Sequence, residues 1–198
     1  MDASKSFYQY APAGDFIVTD EDAADFLQSQ FANELRPFNV GQATYGLWLD
    51  VKGKVIADSV VLCEGAEQFR VISECCVGEL IMAHMERHII ADDVEIENGD
   101  STYGFELSAQ AVEALGLECP KSGRFIQIEG GILYSAHDSI YNIVVYAESA
   151  AKLVFEKLTD LGFIEISVSE RGLARIERGR PLVPDEIGAA DIPGEGGL

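Results

Sequence analysis

The stretch Ala43-Thr44-Tyr45-Gly46-Leu47-Trp48-Leu49-Asp50-Val51-Lys52-Gly53-Lys54-Val55-Ile56-Ala57-Asp58-Ser59-Val60-Val61-Leu62-Cys63 decides the fold class. Two runs rich in aromatic and branched residues flank a turn carrying Gly and charge, which predicts an antiparallel hairpin. After the turn Glu64-Gly65-Ala66-Glu67, a third strand is expected over residues 68–73. A helix is expected over roughly 75–87, with Val77, Leu80, Ile81, His84, Met85 and His88 along one face. A strand follows over 91–97. Asn98-Gly99 is the strongest short turn signal in the chain and leads into a strand at 102–107.

Upstream, residues 1–14 read as a loose lead-in. Phe16-Ile17-Val18 is a short strand. Thr19 with Asp22 is close to a capping box, opening a helix with Ala23, Phe26, Leu27, Gln30 and Phe31 on one stripe that ends near Leu35. Downstream, Ser108 caps a helix over 109–115 closed by Gly116, and strands are expected at 125–128, 132–135 and 140–146. An amphipathic helix over 148–161 stops at Gly162. A short strand at 163–166 precedes a helix capped by Ser167 or Ser169 and running through Glu177. The order strand, strand, helix, strand over 55–97 recurs over 132–166. The expected fold is therefore α+β: layered antiparallel sheets with ferredoxin-like repeats, both repeats on one sheet and the helices grouped on one face.

The chain has 198 residues, enough for one large domain or two small intertwined ones. Lys plus Arg total 14 and Asp plus Glu total 34, a formal net charge of −20. A chain this acidic repels phosphates unless it carries a local basic patch. The longest basic cluster, Arg171, Arg175, Arg178 and Arg180, is interleaved with Glu170 and Glu177, so it reads as a mixed helix face. Neither direct nucleic-acid binding nor adhesion to an anionic membrane is expected. No apolar run approaches a spanning helix, and Met1-Asp2-Ala3-Ser4-Lys5 does not open a signal peptide. Cys63, Cys75, Cys76 and Cys119 fit neither a Cys-x-x-Cys pair nor a zinc knuckle, so a reduced, cytoplasmic protein is expected.

No catalytic constellation is legible from spacing. His84 and His88 are four apart and could face one metal, but both lie on the apolar stripe and Met85 stands where a zincin carries Glu, so helix packing is favoured and no metal is expected. Cys75 or Cys76 at a helix start could be reactive; small buried hydrophobes are the favoured reading.

Five segments in order carry a resemblance. Phe26-Leu27-Gln28-Ser29-Gln30-Phe31-Ala32-Asn33-Glu34 resembles the Phe-Leu-Gln-Gly-Gln-x-Thr-Asn-Asp helix of YgfZ-type folate-binding proteins, relatives of the glycine cleavage T-protein, an aminomethyltransferase. Ser29 replaces the Gly and Ala32 the Thr. Lys52-Gly53-Lys54-Val55-Ile56-Ala57-Asp58 resembles the family's hairpin, and His88–Ile96 is again similar. Arg175-Ile176-Glu177-Arg178-Gly179-Arg180-Pro181 resembles its Arg-hydrophobic-Glu-x-Gly-x-Pro segment, and Pro193-Gly194-Glu195-Gly196-Gly197-Leu198 the Pro-x-Glu-x-Gly-Leu that follows. The Lys-Gly-Cys-x-x-Gly-Gln-Glu signature of the YgfZ type is not among these residues.

The resemblance implies a folate-binding aminomethyltransferase-like domain over 15–183, with intertwined subdomains about 15–107 and 108–183, and a Pro/Gly-rich tail at 184–198 leading to a missing C-terminal part. It implies tetrahydrofolate as the cofactor. Glu177 stands where the family supplies a carboxylate to the pterin; as a sequence feature alone it is a surface acid beside Arg178 or Arg180. Asp58 is the second candidate, one position uncertain because the aminomethyltransferases carry two acids where this chain has Ala57-Asp58. Asn33 is a third, and Arg175 supports Glu177 or meets the folate tail. The implied function is a tetrahydrofolate-binding accessory protein with iron–sulfur assembly proteins or client enzymes as partners, acting indirectly on tRNA modification. The alternative is a folate-dependent aminomethyltransferase or methyltransferase.

Overall fold

The computed structural model describes residues 5–137 and 140–195. The chain forms two compact units interleaved in sequence. One comprises residues 1–12 and 100–180, the other residues 13–99 and 181–198.

The second unit holds a five-stranded sheet. Its strands are β2 (Gly14–Thr19), β3 (Ala43–Leu49), β4 (Val55–Cys63), β5 (Gln68–Ser73) and β6 (Glu95–Asn98), in the order β3-β4-β5-β2-β6. The expected hairpin forms, with Leu47 opposite Asp58, Trp48 opposite Ala57, and Gly53 at positive φ in the turn. Helices α1 (Ala23–Gln30) and α2 (Gly78–Glu86) pack on this sheet. Its core gathers Phe16, Leu27, Trp48, Val55, Phe69, Ile81 and Met85, all at most 1% exposed. No side chain caps α1; Asp22 instead accepts the Asp93 amide at 2.8 Å. This helix is shorter than expected because Phe31 turns to extended backbone and bridges to Trp48. The later start of α2 follows from an extended Val77 and from Gly78, which meets Gly14 so closely that a Cβ on Gly14 would lie 2.7 Å from its Cα.

The other unit holds β1 (Ser6–Tyr10), β7 (Tyr103–Leu107), β8 (Arg124–Ile128), β9 (Gly131–His137), β10 (Ile140–Val145) and β11 (Ile164–Glu165), in the order β11-β1-β7-β10-β9-β8. With them are α3 (Ala109–Ala114), α4 (Glu148–Asp160) and α5 (Val168–Glu177). Its core includes Phe7, Phe105, Val112, Leu133, Ile143 and Leu158. Ser108 caps α3, and Ser167 with Glu170 forms a full capping box on α5.

Two expectations are corrected, and one turn joins strands that do not pair. Within the lead-in, the described residues 5–14 are not loose, because Phe7–Tyr10 pairs with β7 and buries Phe7; residues 1–4 lie outside the described residues. The strands flanking Asn98-Gly99 do not form a hairpin. β6 pairs with β2 while β7 pairs with β1 and β10, so the chain passes here from one sheet to the other. The repeat is present as β4-β5-α2-β6 and β9-β10-α4-β11, but each copy has its own sheet. The architecture is α+β with two largely antiparallel sheets, the β1–β11 pair being parallel. Among the described residues no helix is long and apolar enough to cross a membrane.

Candidate functional site

Antiparallel register fixes which candidate acid is presented. Residues directly opposite share a face, and a one-residue step reverses it. Ala57 is fully buried in the core opposite Trp48, whereas Asp58 is half-buried opposite Leu47. Tyr45 stands two residues from Leu47 on that face, and its hydroxyl donates to Asp58 Oδ2 at 3.1 Å. The Cys76 thiol lies 3.2 Å from Asp58 Oδ1 and 3.5 Å from the Val183 carbonyl. The Asp58 amide points at the same sulfur at 3.5 Å.

These contacts give the thiol its character. Burial, and next the neighbouring Asp58 carboxylate, push Cys76 up to about 12. A thiol so poised stays protonated at neutral pH and serves Asp58 as a hydrogen-bond donor, not as a nucleophile. The bland sequence reading of Cys76 therefore holds.

Asn33 joins the same network. Past the end of α1, the backbone of residues 31–33 runs beside β3, with Ala32 N–H donating to the Leu47 carbonyl at 2.8 Å. Asn33 Nδ2 donates to the Tyr45 carbonyl at 2.7 Å, and its Oδ1 accepts the Glu34 amide at 2.8 Å. Tyr45 thus links two of the predicted residues, Asn33 through its carbonyl and Asp58 through its hydroxyl. Sequence reasoning missed Tyr45, and it singled out Cys76 without its contact to Asp58, which joins β4 to the residues before α2. The alternation of β3 and β4 was the available signal for Tyr45.

Glu177 and Arg175 belong to the other unit. Glu177 is exposed in the last turn of α5. Its neighbour Arg178 reaches Glu106 at 3.5 Å, beside the stronger Arg171–Glu106 pair at 2.9 Å. The Arg175 guanidinium donates to the Arg180 carbonyl, fastening the turn after the helix. Arg171 also lies over the Tyr8 ring, 4.8 Å from its centroid. The basic cluster is thus bound into its own unit, as expected for a mixed face.

Of the two histidines, His84 is 7% exposed and meets Trp48 in a T-shaped ring contact, and His88 is half-buried. Burial, and next the charges of His88 and Arg87, hold His84 below the usual imidazole range. Among the described residues no three His, Cys, Asp or Glu side chains assemble a metal centre.

Comparison with known proteins adds the following. The sequence profile of the family described as "GCVT N-terminal domain" matches residues 6–121. The chain is 28% identical to an aminomethyltransferase of Exiguobacterium sibiricum over 93% of its own length and 55% of that protein's. It is 24% identical to an aminomethyltransferase of Corynebacterium jeikeium, covering 93% and 56%. It superposes on the crystal structure of the glycine cleavage system aminomethyltransferase T from Bartonella henselae with a TM-score of 0.82 at 14% identity, covering 96% of this chain and 56% of that one. The chain thus spans about half the length of the relatives it matches.

Proposed function

The chain belongs to the GCVT N-terminal domain family, and from that premise we propose that it binds tetrahydrofolate and takes part in aminomethyltransferase-type one-carbon chemistry. The observation that carries this reading is the set Tyr45–Asp58–Cys76, which orients one half-buried carboxylate on β4. A carboxylate offers about four lone-pair sites, so one that Tyr45 and Cys76 hold in place can accept from more than two donors, a ligand N–H among them. That capacity fits a reduced pterin, which is rich in N–H donors. When bound, tetrahydrofolate supplies the amine nitrogens that carry a one-carbon unit.

In this reading Asp58 accepts from folate nitrogen and favours its protonated form, Tyr45 and Cys76 hold that carboxylate in place, and Asn33 fixes the adjacent strand. Glu177 and Arg175, in the other unit, are the acid and the cation that the resemblance assigns to the pterin and to the glutamate tail. The protein works in the cytoplasm. The accessory reading, with iron–sulfur assembly proteins or client enzymes as partners and an indirect effect on tRNA modification, draws on a specific feature: Ala57 stands where the transferases carry a second acid. Calorimetric titration of the chain with tetrahydrofolate should give saturable heat that Asp58→Asn diminishes. A folded chain giving no heat rejects folate binding. Methylene transfer that is measurable and falls in Asp58→Asn supports the transferase; folate binding without any transfer supports the accessory role.

A further inference from the structure

We propose that His84 and His88 form a binding site for a divalent transition-metal ion such as Zn²⁺, in an open recess of the unit formed by residues 13–99 and 181–198. The recess has a volume of about 350 Å³ and is lined in part by Ser29, Gln30, Asp50, His84 and His88. It involves none of the residues assigned to folate, so the proposal stands apart from that reading.

His88 Nδ1 lies 2.8 Å from the His84 carbonyl oxygen. A carbonyl only accepts, so Nδ1 carries the proton and Nε2 is left with a lone pair. This is how a metal-binding imidazole is prepared: one nitrogen donates to backbone, fixing the tautomer, and the other faces the ion. His84 supplies the second nitrogen. Its Nε2 is buried and has no hydrogen-bond partner among the described residues, an unusual state for a buried polar atom. Packing against Trp48 accounts for the ring of His84; it does not account for an unmatched nitrogen beside a recess.

The spacing accommodates an ion. The ring centroids are 4.7 Å apart. For two Nε2 atoms directed at one ion about 2.0–2.1 Å away, roughly 3.2 Å from each centroid, that spacing corresponds to an N–metal–N angle of about 95°, between octahedral and tetrahedral values. Asp50 lends negative charge to the recess, but its Oδ1 is committed to the Lys52 and Lys54 amides at 2.8 and 2.9 Å. With no third ligating side chain assembled among the described residues, water completes the shell and leaves positions open to an outside ligand.

The test is calorimetric titration of the reduced, metal-free chain with ZnCl₂. The expected result is one equivalent bound, weakened roughly tenfold or more in His88→Gln, a change at a half-buried ring whose unaltered melting curve would confirm folding. His84→Gln should weaken binding likewise, and Cys75→Ser should leave it unchanged. Co²⁺ should give absorption without thiolate charge transfer. Absence of saturable zinc binding, equal affinity in His88→Gln, or a thiolate band with Co²⁺ would each overturn the proposal.

Discussion

Arg70 offers the sharpest test of how the sheet carrying Asp58 is held together. From β5 its Nη1 contacts both Asp15 oxygens, at 2.8 and 3.1 Å, and its Nε contacts Glu64 Oε1 at 3.1 Å. The side chains are 7%, 6% and 10% exposed, so solvent screens these charges little. Arg70→Met keeps the aliphatic stem and deletes the guanidinium, leaving two buried carboxylates without their common partner. Breaking a buried pair costs about 3–5 kcal/mol. The two pairs share one cation and are not additive, so about 4–5 kcal/mol is expected in total. That is about a quarter or more of the stability of an ordinary domain, roughly 5–15 kcal/mol. Urea unfolding should show the midpoint falling by about 2 M for a slope of about 2 kcal/mol/M. The triple variant Asp15→Asn/Glu64→Gln/Arg70→Met removes the stranded charges as well and should regain at least half the loss. A single variant losing less than about 1 kcal/mol, or a triple variant no more stable than the single, would refute the reasoning.

Three further outcomes are expected. Gly46→Ala should cost about 1–3 kcal/mol and weaken any folate binding, because its Cβ would sit 2.7 Å from the Phe31 ring and 3.0 Å from Asn33 Cβ, and Phe31 is backed by Trp48; thermal melts and the folate titration check it. A thiol at about 12 instead of 9 has about a thousandfold less thiolate at pH 8, so native-state alkylation mapped by mass spectrometry should leave Cys76 unmodified, and Asp58→Asn should raise its rate. His84 has a lowered folded-state affinity for protons, so the unfolded chain binds more protons once pH falls below about 6.5. Stability should therefore be lost as pH drops from about 6.5 through the folded-state range. His84→Leu should flatten that limb of the pH–stability curve, and an unchanged slope rejects the assignment.

Much of the local structure was legible because its causes are local. The Lys52-Gly53-Lys54 turn and its flanking strands are set by residues within about twenty positions of one another. Ser108 and Ser167 cap their helices through amides three residues away. The candidate site was legible only as separate letters. Asp58, Asn33, Arg175 and Glu177 were named in advance from a resemblance. The contacts of Asp58 with Tyr45 and Cys76 were not legible, because which side chains meet across 13 and 18 residues depends on register and packing.

From β2 onward, the sequence by itself determined the type of most elements, since apolar period, turn residues and caps act over a few positions. Beyond the β3–β4 hairpin, only the tertiary structure decided which strands pair. Asn98-Gly99 has the chemistry of a hairpin turn, yet β6 is drawn to β2 and β7 to β1 and β10, because burying Val18, Phe105 and Phe7 on two separate cores outweighs the local preference. Register decided that position 57 turns into the core and position 58 away from it. The unmatched nitrogen of His84 was likewise settled in three dimensions, because an unmet hydrogen bond is a property of everything packed around the atom, which no spacing along the chain encodes.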